Sequence, residues 1–419
     1  MIKLPYGSNY LEFDLDNCSY TTLSPKIPNP KRTADEIIQS ALQNPIKSSI
    51  NPDFSKKTIG IAINDPTRPV PHKFMLPLLV EFLLNHGASS KKIHFYIANG
   101  THFSVPQKKI EEYLPEAIWK DFKIENHECD DKSNLEYLGG TIRDTPIYIN
   151  KRFLSHEIKI VTGNIEPHHF MGYSGGVKSA SIGLAGRKTI ESNHEMLKHP
   201  DAKMGMFNKN PMRQDIEEIG TFIGVDYALN VVINAKKEIN ACFWGEPKEV
   251  IEAGIQYNRE EIQLEVTDLL KSFDLVIASP GGFPKDINLY QAQKAITHAC
   301  LFAKEKAPIL LAAECREGHG SSGFYDFFED IADFAQVIEK FNRMKFVVGP
   351  HKSYQLALQG INHKIYLKSE IAESEVNHFF LSPIENLQED IQNIIKKEKI
   401  KTVLVLPYAT TTIPVIEDY

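Results

Sequence analysis

The chain has no CxxC pair: its five cysteines, Cys18, Cys129, Cys242, Cys300 and Cys315, are scattered and odd in number. That excludes a disulfide framework or a structural zinc knuckle as the organising principle and fits reduced thiols packed as small apolar residues. No run approaches the ~18 apolar residues of a membrane span. The stretch Met1 to Leu15 also lacks an apolar signal core and has Glu12, Asp14 and Asp16 close by. Neither export nor insertion is expected, so the expected location is cytoplasmic, with no membrane partner. An excess of positive charge is missing too. The net charge of −7 argues against a nucleic-acid partner, because phosphate affinity rests on clustered Lys and Arg, although a local basic pocket for a small anion stays open. Low-complexity segments and short repeats are absent as well.

What is present is the composition of a globular protein with large cores: 419 residues, 42% hydrophobic and 24% charged. That length suggests two domains or three. Short apolar strands alternate with loops and helical stretches, the pattern of parallel βα units. Strands are expected at Thr58 to Ile63, Lys92 to Ala98, Ile158 to Thr162, Phe273 to Ser279, Ile309 to Ala313, Lys345 to Val348 and Thr402 to Leu406. Helices are expected at Phe74 to Leu84, Pro247 to Leu270 (one helix or a pair), Asn288 to Lys304, Tyr325 to Phe341 and Ile384 to Lys397. The expected fold is α/β: two domains with parallel-type sheets flanked by helices, the second Rossmann-like, and an active site in the interdomain cleft. The first domain is placed at 1–268, the second at 272–405, with the tail 407–419 packing back on the first.

In open α/β sheets ligands bind beyond the carboxyl ends of the strands, so the loops there come first. Asp65-Pro66-Thr67-Arg68-Pro69-Val70-Pro71 fixes Arg68 between prolines, a preset guanidinium for a carboxylate or phosphate; the plainer reading is a turn with Asp65 capping the next helix. Asn99-Gly100-Thr101-His102 puts a histidine at a strand end, where it can titrate near neutral pH or simply face water. Gly163 to Lys178 is the richest segment. Its Gly172, Gly175 and Gly176 allow close backbone approach to a ligand, His168 and His169 are candidate bases or metal ligands, and Lys178 is a phosphate neutraliser or a nucleophile. His194, in Asn193-His194-Glu195, is a candidate single metal ligand, and His199 a helix-end residue. Tyr290, Gln291 and Lys294 gather donors at a helix start, with Tyr290 and Lys294 on one face. The loop Glu317 to Gly323 holds His319, for which the sequence offers no partner.

Three familiar motifs are missing from these segments. Gly163 to Lys178 is neither a Walker A loop nor a GxGxxG fingerprint, and His194 with His199 does not make HExxH.

The combination Pro167-His168-His169…Gly172-Tyr173-Ser174-Gly175-Gly176-Val177-Lys178, with Asn193-His194, resembles the nickel-dependent lactate racemase family. The resemblance extends from Asp65-Pro66-Thr67-Arg68-Pro69 to Asn288-Leu289-Tyr290-Gln291-Ala292-Gln293-Lys294. It implies a racemase or epimerase that inverts C2 of a 2-hydroxy acid by reversible hydride transfer to a lysine-tethered nickel-pincer nucleotide, a Ni pyridinium-3-thioamide-5-thiocarboxylic acid mononucleotide. By the same resemblance Lys178 is the covalent anchor and His194 the nickel ligand. His102 and His168 are the acid–base pair. Asp65, Ser174, Tyr290 and Gln291 contact the cofactor, and Arg68, Gln291 and Lys294 orient the substrate carboxylate. Partners implied are a small 2-hydroxy acid and the cofactor-synthesis enzymes. One departure stands out: lactate-racemising members carry a tryptophan in the segment matching His351 to Leu356, where this chain has Tyr354. Two other readings of the chain are an NAD-dependent 2-hydroxyacid oxidoreductase, weakened by the absent fingerprint, and a non-catalytic carrier of the nickel nucleotide.

Overall fold

The computed structural model describes residues 1–16, 18–49, 52–344 and 349–416. The chain divides into two compact units, one of Ile27–Ile262 with Ile416–Tyr419, the other of Met1–Lys26 with Gln263–Val415.

The unit formed by the middle of the chain has a six-stranded sheet in the order Ile239–Gly245, Tyr227–Ile233, Ile158–Asn164, Ile59–Asn64, Ile93–Ala98, Lys123–Asn126. Only the first pairing is antiparallel; the rest are parallel. Parallel strands covered by helices on both faces read as unbroken apolar runs, and Ile59 to Ile63 are all buried. The helix His72–Asn85 contributes Met75, Leu76, Leu79 and Leu83 to the core beneath that sheet. A second helix, Pro211–Ile223, is bounded by local chemistry. The Asn210 side chain accepts from Arg213 N, Pro211 sits in the first turn, and Gly224 closes the end at φ 67°.

The other unit has an all-parallel sheet in the order Ser382–Pro383, His363–Lys368, Lys306–Ala312, Leu275–Ala278, Thr402–Leu406, Ser19–Thr22. Leu275 to Ala278 are wholly buried at its centre. An N-terminal hairpin, Ile2–Tyr6 with Asn9–Phe13, places Leu4 and Phe13 in the same core.

The N-terminal segment and part of the tail depart from the sequence-based division. Residues 1–26 were expected with the first domain, yet Ser19–Thr22 adds a parallel edge strand to Thr402–Leu406 in the other unit. Polar and exposed, Ser19-Tyr20-Thr21-Thr22 shows no alternation or apolar run from which a strand could be read. The tail to Val415 also stays with that unit: Leu264 N donates to Ile413 O and Val415 N to Leu264 O.

Three expected helices are shorter or broken. Pro247–Tyr257 ends in a wide turn over Asn258–Ile262, where the Asn258 side chain donates to Ile165 O. The 288–304 helix breaks into Leu289–Ala292 and Lys294–Phe302. The 325–341 stretch gives Ser322–Tyr325, a short turn at Asp326–Phe328, and Phe334–Arg343 capped by Asp333. The strand expected at Lys345 to Val348 lies outside the described residues.

Candidate active site

Neighbouring strand ends build the first pair. Ile59–Asn64 and Ile93–Ala98 run in parallel with Asn64 opposite Ala98, so the loops that follow them emerge side by side. His102 Nδ1 lies 3.3 Å from Asp65 Oδ2, while Asp65 Oδ1 accepts from Thr67 N at 2.8 Å and Thr67 Oγ1 at 2.5 Å. Asp65 therefore does not cap the following helix, whose cap position is Pro71 with no side-chain bond. Burial alone would raise the Asp65 carboxyl, but His102, the Thr67 hydroxyl and the Thr67 N–H together hold it down at about 2. A carboxylate on Nδ1 fixes the His102 proton there and leaves Nε2 as the accepting nitrogen.

The Gly-rich segment folds as a tight hairpin. Pro167–His168 pairs antiparallel with Gly172–Tyr173, and Ser174 N donates to Glu166 O at 2.8 Å. Gly172 has φ 71°, and a Cβ there would lie 1.8 Å from Met206 O, so no other residue fits. Arg213, fully buried, holds the loop from below. Its Nη1 donates to Tyr173 O at 3.0 Å and to Gly175 O at 3.2 Å, and its Nη2 also pairs with Glu217. Asn230 Oδ1 accepts from Gly176 N at 2.9 Å.

This scaffold sets Lys178 at the start of the short helix Lys178–Ser181. Burial, then the positive fields of Arg68 and Arg213, drive its amine well below the usual lysine range, with Glu166 opposing. A neutral amine is a nucleophile, as covalent attachment requires. On that helix, and at the ends of the two strands it packs against, Ser179 Oγ, Ser181 Oγ, Asn64 Oδ1 and both polar atoms of the Asn164 side chain are buried without a hydrogen-bond partner. Buried polar atoms left unsatisfied are costly, and a ligand with donors and acceptors would satisfy them.

His168 and His194 are both driven toward the neutral form, in opposite tautomers. Met171 N donates to His168 Nδ1 at 3.3 Å, so the neutral ring carries its proton on Nε2. Burial, then Lys178, His169, Arg68 and His194, push His168 well below its ordinary value. His194 Nδ1 instead donates to Ile190 O at 2.7 Å, which leaves the lone pair on Nε2. Burial, only partly offset by that carbonyl, brings His194 to about 4. A neutral imidazole with its far nitrogen anchored is the form that ligates a metal. The Phe170 ring meets both histidines edge to face, with centroids 4.6 Å from His168 and 6.1 Å from His194. Among the described residues no group of three or more His, Cys, Asp or Glu could hold a metal ion by itself. His194 Nε2 could hold a metal as one protein ligand.

Asp65, Arg68, His102, His168, Ser174, Lys178 and His194 belong to one unit, and Tyr290, Gln291 and Lys294 to the other. In the latter, Lys294 Nζ donates to Gln291 Oε1 at 2.6 Å. Because Gln293 breaks the helix, Lys294 opens a new one and pairs with Gln291 rather than sharing a continuous face with Tyr290. The Tyr290 ring meets Phe324 edge to face. Its N–H donates to His319 O, and His319 Nδ1 pairs with Glu375 at 2.7 Å, the partner hidden from sequence. Tyr354 is buried and stacked on Phe341. His199 ends the short turn Met196–Lys198.

Sequence reasoning missed Arg213 and Asn230. Arg213 is one arginine on an otherwise ordinary amphipathic helix, and Asn230 lies within a buried strand. Neither position carries a local signal.

Comparison with known proteins now gives the arrangement a place. The family models for the lactate racemase N-terminal and C-terminal domains match residues 6–205 and 270–413. The lactate racemase of Thermoanaerobacterium thermosaccharolyticum is 31% identical over 402 residues, 93% of each chain, and that of Lactiplantibacillus plantarum 27% identical over 408 residues, 95% of each. The solved structure of the lactate racemase apoprotein from T. thermosaccharolyticum superposes with a TM-score of 0.89 at 29% identity, covering 98% of this chain and 99% of that one. Fold, site and relatives together define an α/β enzyme of the isomerase class, a racemase. The chain belongs to the lactate racemase family.

Proposed function

We propose that the protein inverts C2 of a 2-hydroxy acid, using a nickel-pincer nucleotide tethered to Lys178 and the histidines His102 and His168 as acid–base groups. The observation that carries this reading is the proton poise of the two rings. His102 is backed by a carboxylate and presents an accepting Nε2; His168 is backed by the Met171 N–H and presents Nε2–H.

The residues around Lys178 fit such a group. Lys178 supplies a neutral amine for the covalent bond, His194 Nε2 the protein ligand to nickel, and the unpartnered Asn64, Asn164, Ser179 and Ser181 atoms polar contacts. When bound, the cofactor supplies the acceptor and donor for the C2 hydrogen, which is not acidic enough for direct removal. His102 takes the hydroxyl proton of one enantiomer, and Asp65 stabilises the imidazolium that forms. At the planar stage His168 Nε2–H hydrogen-bonds the substrate oxygen, and the new hydroxyl takes its proton from Nε2 of His168 in its imidazolium form, protonated on Nδ1 as well; His102 then gives its proton to solvent and His168 takes one back, which resets the pair. For the opposite enantiomer His168 accepts the proton on Nε2 only after its own proton moves to Nδ1, at the expense of the Met171 contact. Arg68 holds the carboxylate with paired donors, which keeps the planar 2-keto acid from leaving.

The test is the full chain co-expressed with cofactor-synthesis enzymes: a mass adduct on Lys178, stoichiometric nickel, and racemisation in a chiral screen of 2-hydroxy acids. An adduct that persists in Lys178→Ala sinks the covalent assignment. Net oxidation coupled to nicotinamide reduction, without inversion, sinks the racemase reading.

A further inference from the structure

The helix Pro350–Gly360 carries a lysine that nothing above uses. Lys352 is only 6% exposed, and its ammonium donates to Gln355 Oε1 at 2.8 Å. Among the described residues no carboxylate pairs with it; the charged group that acts on it is a second cation, Lys294. The two helices that bear these lysines are tied together, with Gln359 Nε2 donating to Thr297 Oγ1 at 2.6 Å. His351 and Tyr290 meet edge to face nearby, ring centroids 6.5 Å apart.

A buried ammonium whose described hydrogen bond is to a glutamine oxygen is expensive to keep. Desolvation penalises the Lys352 charge, and the like charge of Lys294 adds to the penalty. Burial first, and Lys294 second, bring Lys352 down to about 7, so it can take up its full charge when an anion arrives. A lysine serving only as packing would be replaced by an apolar chain with a gain in stability. A strongly perturbed lysine set beside a second cation is a mark of places where ligands bind.

We infer that Lys294 and Lys352 together form a site for a dianionic acid, so that the substrate is a 2-hydroxy acid bearing a second carboxylate. This deepens the racemase reading and rests on it. Lys294 takes the carboxylate next to C2, and Lys352 the second one. Each lysine matches one negative charge. The amide nitrogens of Gln291 and Gln355, whose oxygens already accept from the lysines, remain as further donors. A phosphate, with up to two charges on one group, asks for more donors than Lys352 and Gln355 provide.

Calorimetry on the purified full chain tests binding directly, with malate and 2-hydroxybutyrate, which share a four-carbon skeleton and differ by a carboxylate in place of a methyl. Malate is expected to bind at least 10-fold more tightly, and Lys352→Gln and Lys352→Met should both erase that preference while the thermal melt stays cooperative. Equal affinities, or a preference that both variants retain, overturn the inference. Tighter binding of 3-phosphoglycerate than of malate overturns the carboxylate assignment. On cofactor-loaded protein, kcat/KM for malate should exceed that for 2-hydroxybutyrate at least 10-fold, chiefly through KM. Preferred turnover of 2-hydroxybutyrate overturns the inference and leaves the racemase reading intact. Malate bound through Lys352, with no inversion of any acid in the chiral screen, defeats the racemase reading and leaves the dianion site standing.

Discussion

Arg213 reaches the carbonyl of Gly175 with both terminal nitrogens, each at 3.2 Å, and so fixes the turn that leads into Lys178. The same guanidinium holds Tyr173 O and pairs with Glu217. Removing one partner of a buried ionic pair costs about 3–5 kcal/mol, because the other charge is left stranded. Arg213→Gln is therefore expected to lose stability of that order by urea denaturation. A loss under about 0.5 kcal/mol would mean that Asn230 alone holds the loop.

Gly172 and Gly100 both adopt left-handed backbone, at φ 71° and 56°, but only one is crowded. An added Cβ at Gly172 meets Met206 O at 1.8 Å; at Gly100 nothing comes closer than 3.7 Å. Gly100→Ala should cost about 1–2 kcal/mol from conformation alone. Gly172→Ala should cost markedly more, because the hairpin holding His168 has to open. Equal melting temperatures for the two variants would contradict this.

Asp65→Asn removes the charge that selects the His102 tautomer. On the proposed mechanism kcat should fall about 100-fold or more with KM little changed, the size of effect expected when a general base loses its orientation. Nitrogen-15 spectra near pH 7 should show the proton on Nδ1 of His102 and His194 but on Nε2 of His168. A shared tautomer for His102 and His168 would remove the basis for their opposite roles.

Stability should fall in mild acid. His72 and His298 are both held near pKa 4, chiefly by burial, against 6.5 for the free side chain. Their folded values are depressed, so the unfolded chain binds these protons first. The stability they contribute is present above about pH 6.5 and drains away as pH falls toward 4, by up to about 3 kcal/mol for each. Asp65, depressed from 3.8 to about 2, extends the loss below pH 4. Urea midpoints at pH 7.5, 5.5 and 4.5 should decline, and His298→Gln should flatten the decline. Constant midpoints would refute the account.

The strands that carry the site could be read from sequence because both faces of a parallel sheet are covered, which makes runs such as Ile59-Gly60-Ile61-Ala62-Ile63 continuous. The Gly-rich segment was legible for a different reason: its glycines and histidines are dense enough to stand out locally. What stayed hidden depends on partners far along the chain. Arg213 serves a loop some 40 residues away, and His319 pairs with Glu375 56 residues on, so no window of sequence holds both members. Helix breaks at Gln293 and after Tyr325 were missed because neither glycine nor proline marks them.

The edge strand Ser19–Thr22 also bears on how the chain is made. Its hydrogen-bonding partner, Thr402–Leu406, leaves the ribosome almost four hundred residues later. The middle unit can close while the first twenty-six residues wait, and the last parallel strand of the other sheet docks only when synthesis is nearly done. A fragment beginning at Gln263 would present Thr402–Leu406 as a bare sheet edge, open to pairing with another copy. Supplying residues 1–26 as a separate peptide should restore its solubility.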